Sequence, residues 1–423
     1  MKITEFPNLG EKTIRKKLDC GLEMILVPRP GFNRKLAYFV TDYGSIHTAY
    51  TLDGQAMTAP AGVAHFLEHK MFDLPERDVS AEFAAQGANV NAFTSYDVTA
   101  YYFTCTENFE KNLELLLEFV STPYFTEESV AKEMGIIDQE IGMNADSPDT
   151  RVFEDLMDAM YLQHPIRVPI LGTSDTIRQI TAQTLHDCHR AFYSPANMLL
   201  CVVGDVDAES VARIADKVLG TQPRCAGEKK NNWDEPMTVV QPLVKRNMEI
   251  AMPAFQLGFK CEPLGKGEDA IRQEIIGDLA AEALFGESSQ LYLELYEEGI
   301  IDSSFGGGFE TIDGCALLTC GGDSENSQAV RDAILRHGER LAKEGVSEEA
   351  FQRMKRSAMG RRVRDLDSFD STCFRICAYR LSDFDYFRFP EIYATIQKEE
   401  IAAFIRRVVR PERCALSVIE PLQ

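Results

Sequence analysis

No run in this 423-residue chain approaches the roughly 18 consecutive apolar residues that a membrane-spanning helix needs. The N-terminal stretch Met1-Lys2-Ile3-Thr4-Glu5-Phe6-Pro7 lacks the apolar core of a secretory signal. Positive charge is in deficit: 44 Lys and Arg stand against 66 Asp and Glu, for a net charge of −22 and a pI near 4.8. Nucleic-acid binding, which runs on phosphate neutralisation, is therefore disfavoured. An acidic surface or chamber favours cationic partners such as basic peptides. The 11 cysteines are odd in number and not tightly paired. Several sit in apolar runs, as Cys201 does in Leu199-Leu200-Cys201-Val202-Val203, which is the pattern of buried free thiols in a reducing compartment. These features together predict a cytoplasmic protein.

What is present describes an ordinary globular chain, 45% hydrophobic and 26% charged. Its length suggests two domains of about 200 residues each. With only 7 histidines in the chain, the stretch Gly62-Val63-Ala64-His65-Phe66-Leu67-Glu68-His69-Lys70-Met71-Phe72 stands out. No Pro or Gly interrupts it after Gly62, so a helix is predicted at about 61–73. His65 and His69 then lie one turn apart on one face, with Glu68 beside them. Two neutral imidazoles at that spacing can hold a zinc ion and leave a position open for water. A neighbouring carboxylate can take the proton from that water. His-x-x-Glu-His is the inverted form of a zinc-peptidase motif. The plainer alternative is two core or surface histidines beside a solvated glutamate.

Taken in order, residues 20–28 and 36–43 read as strands, and 79–86 as a helix stopped at Gly87. Ala88 to Ser95 and Val98 to Thr104 are β-rich on either side of Ser95-Tyr96-Asp97, which predicts paired strands. A helix fits 107–120, and another starts after Thr126, whose hydroxyl can cap it. In that second helix Val130, Met134, Ile137 and Ile141 form one apolar stripe, and Glu133 and Glu140 fall along its flank. A third metal ligand could sit there, although periodicity alone favours a solvated flank. An internal repeat then appears. Ile180, Leu185, Arg190, Phe192, Pro195, Leu200 and Val202 return as Ile396, Ile401, Arg406, Val408, Pro411, Leu416 and Val418, each offset by 216. Two homologous domains follow: 1–220, which bears the metal site, and 238–423, a degenerate copy whose only histidine is His337. A polar linker at 221–237 joins them, with Lys229, Lys230, Asn231 and Asn232.

These residues resemble the pitrilysin/insulinase family of inverted-motif zinc peptidases. The matching stretches are Gly62 to Phe72, Asn91-Ala92-Phe93-Thr94-Ser95, Glu133-x6-Glu140, and Pro195-Ala196-Asn197-Met198 with Val202-Val203-Gly204-Asp205. The resemblance covers essentially the whole chain and is most like the bacterial branch built from two half-length subunits. It implies an α+β fold of two sheet-plus-helices domains of the mitochondrial-processing-peptidase-like type, forming half of a clamshell. It also implies zinc held by His65, His69 and Glu140, with Glu133 supporting the site from behind a ligand and Glu68 as general base. Asn91, Ala92 and Phe93 match the edge strand that pairs with a substrate's backbone, so peptides or unfolded segments are the implied substrates. In the family an Arg and a Tyr near a helix end of the second half of the enzyme reach the scissile carbonyl. Here the aligned positions are Tyr296 and Asp302. An Asp would repel a developing oxyanion, which implies a partner subunit, a second family member or another copy, that supplies those groups. The alternatives are a non-catalytic assembly or peptide-binding subunit, and a processing protease in a specific protein-modification pathway.

Other clusters carry blander expectations. His186-Asp187-Cys188-His189 crowds one helical turn and predicts packing, and Cys315, Cys320, Cys373 and Cys377 predict core thiols. Gly306-Gly307-Gly308 lacks the Gly-Lys-Ser/Thr of a phosphate loop and reads as a mobile turn or hinge. Lys355, Arg356, Arg361, Arg362 and Arg364 form a basic run expected on a solvated helix face.

Overall fold

A computed structural model describes residues 1–222, 227–230 and 232–422. Two mixed sheets organise the chain. The first runs Lys2–Phe6, Glu11–Lys17, Glu23–Pro28, Met198–Gly204, Lys35–Thr41, Thr99–Cys105, Ala88–Thr94 across its width. The second runs Leu243–Met248, Cys414–Pro421, Ala254–Cys261, Cys315–Asp323, Gly306–Ile312. The last five strands of the first sheet and the five of the second share one topology. In each, a late strand inserts beside the first strand in parallel, as Leu200 opposite Met24 and Leu416 opposite Leu243 show. Those inserted strands close the sequence repeat. Each follows a helix (Ala182–Phe192 or Lys398–Val408) and a Pro-led 3₁₀ turn. The fold is α+β, as the repeat and the resemblance imply.

Alternation along the strands explains why both faces of the first sheet are dry. Ala37 and Phe39 face a core shared with the helices Val63–Met71, Phe109–Val120 and Ala182–Phe192. Tyr38 and Val40 face a second core built with the other half of the chain. That second core contains an exchange. Helix Phe369–Leu381 lies on the first sheet, where Cys373 sits over Cys201, Arg380 pairs with Glu23 at 2.9 Å and Arg34 with Asp370 at 2.5 Å. Helix Pro148–Met160 lies on the second sheet, where Leu156, Met157 and Met160 pack with Leu317 and Ala415. Each half of the chain thus lends a helix to the other's sheet.

Of the stretch 221–237, residues 223–226 and 231 lie outside the described residues. Gly227–Lys229 adds a strand beside Tyr50, and the Glu235 carboxylate accepts from the N–H groups of Leu162, Gln163 and His164 and from Lys260. Two expectations are corrected. Gly306-Gly307-Gly308 opens an edge strand paired with Thr319 to Gly321, and its middle residue admits no side chain, since a Cβ on Gly307 would lie 2.4 Å from the Thr319 carbonyl oxygen. Arg362 is not solvated but buried, bonded to Asp278 at 2.8 Å, Glu274 at 3.3 Å and the Tyr379 hydroxyl. The ten described cysteines are buried and form no disulfide, and Cys225 lies outside the described residues. No helix among the described residues is long and apolar enough to cross a membrane.

Candidate metal centre

The motif helix is Val63–Met71, two residues shorter at each end than the predicted 61–73. Gly62 starts it in the left-handed region at φ 93°, and a Cβ there would meet the Leu171 carbonyl oxygen at 2.4 Å, so only glycine fits. Phe66, Leu67 and Met71 anchor the helix in the core. Lys70 is wholly buried and reaches out to pair with Asp73. That anchoring directs His65, Glu68 and His69 toward the helix Glu127–Ala145 and the edge strand Ala88–Thr94. The glutamate helix begins with a capping box between Thr126 and Ser129, and its stripe of Val130 and Ile137 is buried. Glu133 and Glu140 leave the same flank of that stripe.

The helices bring His65, His69 and Glu140 together, with one donor atom of each within 4.8 Å of the others. Glu140 spans the two rings, with one oxygen 3.7 Å from His65 Nε2 and the other 3.7 Å from His69 Nε2. Both separations exceed hydrogen-bond length, so three donors converge on one point without satisfying one another. Two imidazoles and a carboxylate match the donor set of a catalytic zinc, and among the described residues no other group of three such donors converges. Burial, and then the neighbouring His69, hold His65 down to about 3, so its ring is neutral and able to ligate. Glu133 bonds His69 Nδ1 at 2.9 Å, which leaves Nε2 as the lone-pair nitrogen.

Glu68 lies beside this set with its carboxyl pushed up, chiefly by burial. Its partner is the Thr94 hydroxyl, which donates to Glu68 Oε2 at 2.6 Å. Thr94 is a residue that sequence reasoning left without a role. Its only signal was its place in Asn91 to Ser95, on the same strand face as Ala92. Asn91, Ala92 and Phe93 lie on the outermost strand of the first sheet, which among the described residues pairs only with Thr99–Cys105. In the second half, Tyr296 ends the helix Gln290–Glu297 half-exposed and stacked on Tyr292. Asp302 is exposed, held below the usual carboxylate range by bonds from the Ser304 hydroxyl and N–H. Neither has a hydrogen bond or ion pair to His65, Glu68, His69 or Glu140 among the described residues. His189 is buried with Nε2 on the Val120 carbonyl, and His186 packs on Phe125, so that cluster is packing.

Residues 55–174 match the family described as Insulinase (Peptidase family M16), and residues 179–358 match Peptidase M16 inactive domain. YmfH of Bacillus subtilis, described as an uncharacterized zinc protease, is 35% identical over 430 residues, covering 100% of this chain and 99% of its own. PqqE of Helicobacter pylori, described as a zinc protease, is 25% identical over 73% of this chain and 71% of its own. The crystal structure of an M16-like peptidase from Alicyclobacillus acidocaldarius superposes with a TM-score of 0.94 at 34% identity, covering 99% of this chain and 100% of that one. A chain of Complex III2 from Candida albicans, 13% identical, shares the fold with a TM-score of 0.76 over 96% of this chain and 95% of its own. The chain belongs to peptidase family M16, the pitrilysin/insulinase family, in its half-length bacterial form.

Proposed function

We propose that this chain is the zinc-bearing subunit of a metallo-endopeptidase that cuts extended peptides or unfolded segments. The observation that carries the reading is the convergence of His65, His69 and Glu140 beside a half-buried glutamate, Glu68, that stands outside the donor set. Bound at those three residues, zinc supplies a Lewis acid for the peptide carbonyl and makes water a stronger acid. Glu68 takes the proton from the attacking water and returns it to the leaving amine. Thr94 fixes the carboxylate for that transfer, and Glu133 holds the His69 ring in the ligating tautomer. Asn91, Ala92 and Phe93 lie on the strand at the sheet edge, where an extended peptide adds as a further strand. The buried free thiols suit a reducing compartment such as the cytoplasm.

The exposed Asp302 offers no hydrogen to a developing oxyanion, so the reading includes a second M16 subunit, another copy or a relative, that supplies such donors across a closed chamber. That same feature favours one competing reading, a non-catalytic peptide-binding or assembly subunit. Cleavage of a pool of unstructured peptides, with zinc assayed in parallel, separates the two. The expected result is turnover by the wild type, alone or with its partner subunit, and none by Glu68→Gln at equal zinc content. Full zinc occupancy without cleavage, partner included, would favour the binding subunit.

A further inference from the structure

A cavity of about 530 Å³ opens between the two halves of the chain. It lies across the first sheet from the motif helix: its walls take Tyr38, Val40 and Ala100, which face away from the core holding His65's neighbours. The edge strand Ala88–Thr94 borders both places. Val90 and Ala92 pack toward the motif helix, and Thr94 bonds Glu68. Phe93 packs on the opposite face and, with Ser95, lines the cavity. A peptide added to this edge presents alternate side chains to the two faces. Every second residue of such a peptide therefore points toward the cavity.

We propose that the cavity is a subsite for a lysine or arginine side chain of the bound peptide, an assignment that rests on the peptide-pairing edge of the peptidase reading. Aromatic rings of Tyr38, Phe93 and Phe374 form one wall, suited to an aliphatic stem and to a cation over a ring face. Six carboxylates and two cations line the whole. Most of the acids are already answered from behind. Lys229 pairs with Asp42 at 2.7 Å and with Asp313 at 3.6 Å, and Arg362 pairs with Glu274 and Asp278. Of the two lining cations, Lys266 is held by the Leu381 carbonyl, and Arg375 bears on Asp278. Asp97 accepts from the Ser95 hydroxyl at 2.8 Å and from its own N–H, with His47 nearby, and the Glu310 carboxylate has no hydrogen bond or ion pair among the described residues. Asp97 is half-buried and Glu310 open to the cavity, and desolvation by the surrounding protein raises both carboxyls above their ordinary range. A neutral apolar side chain would leave that charge unanswered, and an acidic one would be repelled. A bare metal ion does not fit, because the only converging set of three metal-type donors among the described residues is His65, His69 and Glu140.

The test uses the Glu68→Gln chain, which leaves bound peptide intact. The probes are fluorescein-labelled alanine-rich octapeptides carrying arginine, or its neutral analogue citrulline, at each position in turn. Fluorescence anisotropy should show arginine favoured about tenfold at one or more alternate positions. Adding Glu310→Gln should cut that preference to about twofold or less. Equal affinity for the two series, or a preference that survives Glu310→Gln, overturns the assignment. Turnover by the wild type is scored separately. Charge-selective binding with no cleavage refutes the peptidase reading and leaves the subsite standing, whereas cleavage without charge selectivity in binding refutes the subsite alone.

Discussion

Thr94→Val removes one hydroxyl and little else, since valine keeps the shape and the β-branch that suit an edge strand. In the structure that hydroxyl donates to Glu68 Oε2 at 2.6 Å and lies 3.4 Å from the Thr99 hydroxyl, itself bonded to the Tyr43 carbonyl at 3.0 Å. Valine leaves a largely buried carboxylate without its hydrogen-bond donor. A hydrogen bond to a charged acceptor contributes about 1.5–3 kcal/mol. If the bond serves to aim Glu68 at the reacting water, the loss appears in kcat as about 10- to 150-fold. KM should stay within about twofold, because the Thr94 side chain faces Glu68 and not the peptide backbone. Zinc content should not change, and Thr94→Ser should restore most of the rate. Steady-state cleavage of a quenched fluorescent peptide, with zinc measured by mass spectrometry, reads all three quantities. Wild-type kcat in Thr94→Val, or a loss carried wholly by KM or by zinc, would refute the positioning role.

Three further outcomes follow from other parts of the molecule. Glu133→Gln should weaken zinc binding by about 10- to 100-fold in a chelator competition, because Glu133 fixes the His69 ring; unaltered affinity would remove Glu133 from the site. Arg362→Met should cost about 3–5 kcal/mol in urea unfolding, since it strands Glu274 and Asp278 beside an emptied position. A variant as stable as wild type would contradict that ledger of buried charge. Burial holds His189 down to about 4, below its unfolded value near 6.5, so the unfolded chain binds more protons in that window. Its contribution is fully present above about pH 6.5 and is lost at about 1.4 kcal/mol per pH unit as pH falls toward 4. His189→Phe should flatten the stability profile by that slope, and parallel profiles would show that His189 does not titrate this way.

The helical motif and the repeat were legible because each is local. His65 and His69 need only one turn of helix to meet, and Pro195 and Pro411 punctuate identical helix-to-strand passages. Glu140 was not legible from periodicity, because its partner rings, His69 and His65, come from a helix far earlier in the chain and only tertiary packing brings them within reach. Family resemblance supplied that link. Thr94 went without a role for the same reason: its alternation was readable, but not the Glu68 oxygen it faces. Arg362 looked solvated because a local run of cations gives no hint of Glu274 and Asp278 on another helix. Gly306 to Gly308 read as a turn because glycine marks turns and close backbone approaches alike, and at Gly307 the Thr319 carbonyl demands the second. The helix exchange between the two sheets left no sequence signal, since an apolar stripe does not say which sheet it covers.

The central claim is that His65, His69 and Glu140 hold zinc in this chain. Anomalous scattering collected at the zinc absorption edge, from crystals grown with one equivalent of zinc, tests it most directly. One dominant peak is expected, in contact with those three side chains and absent from a Glu140→Gln crystal. A peak elsewhere, or none, would contradict it.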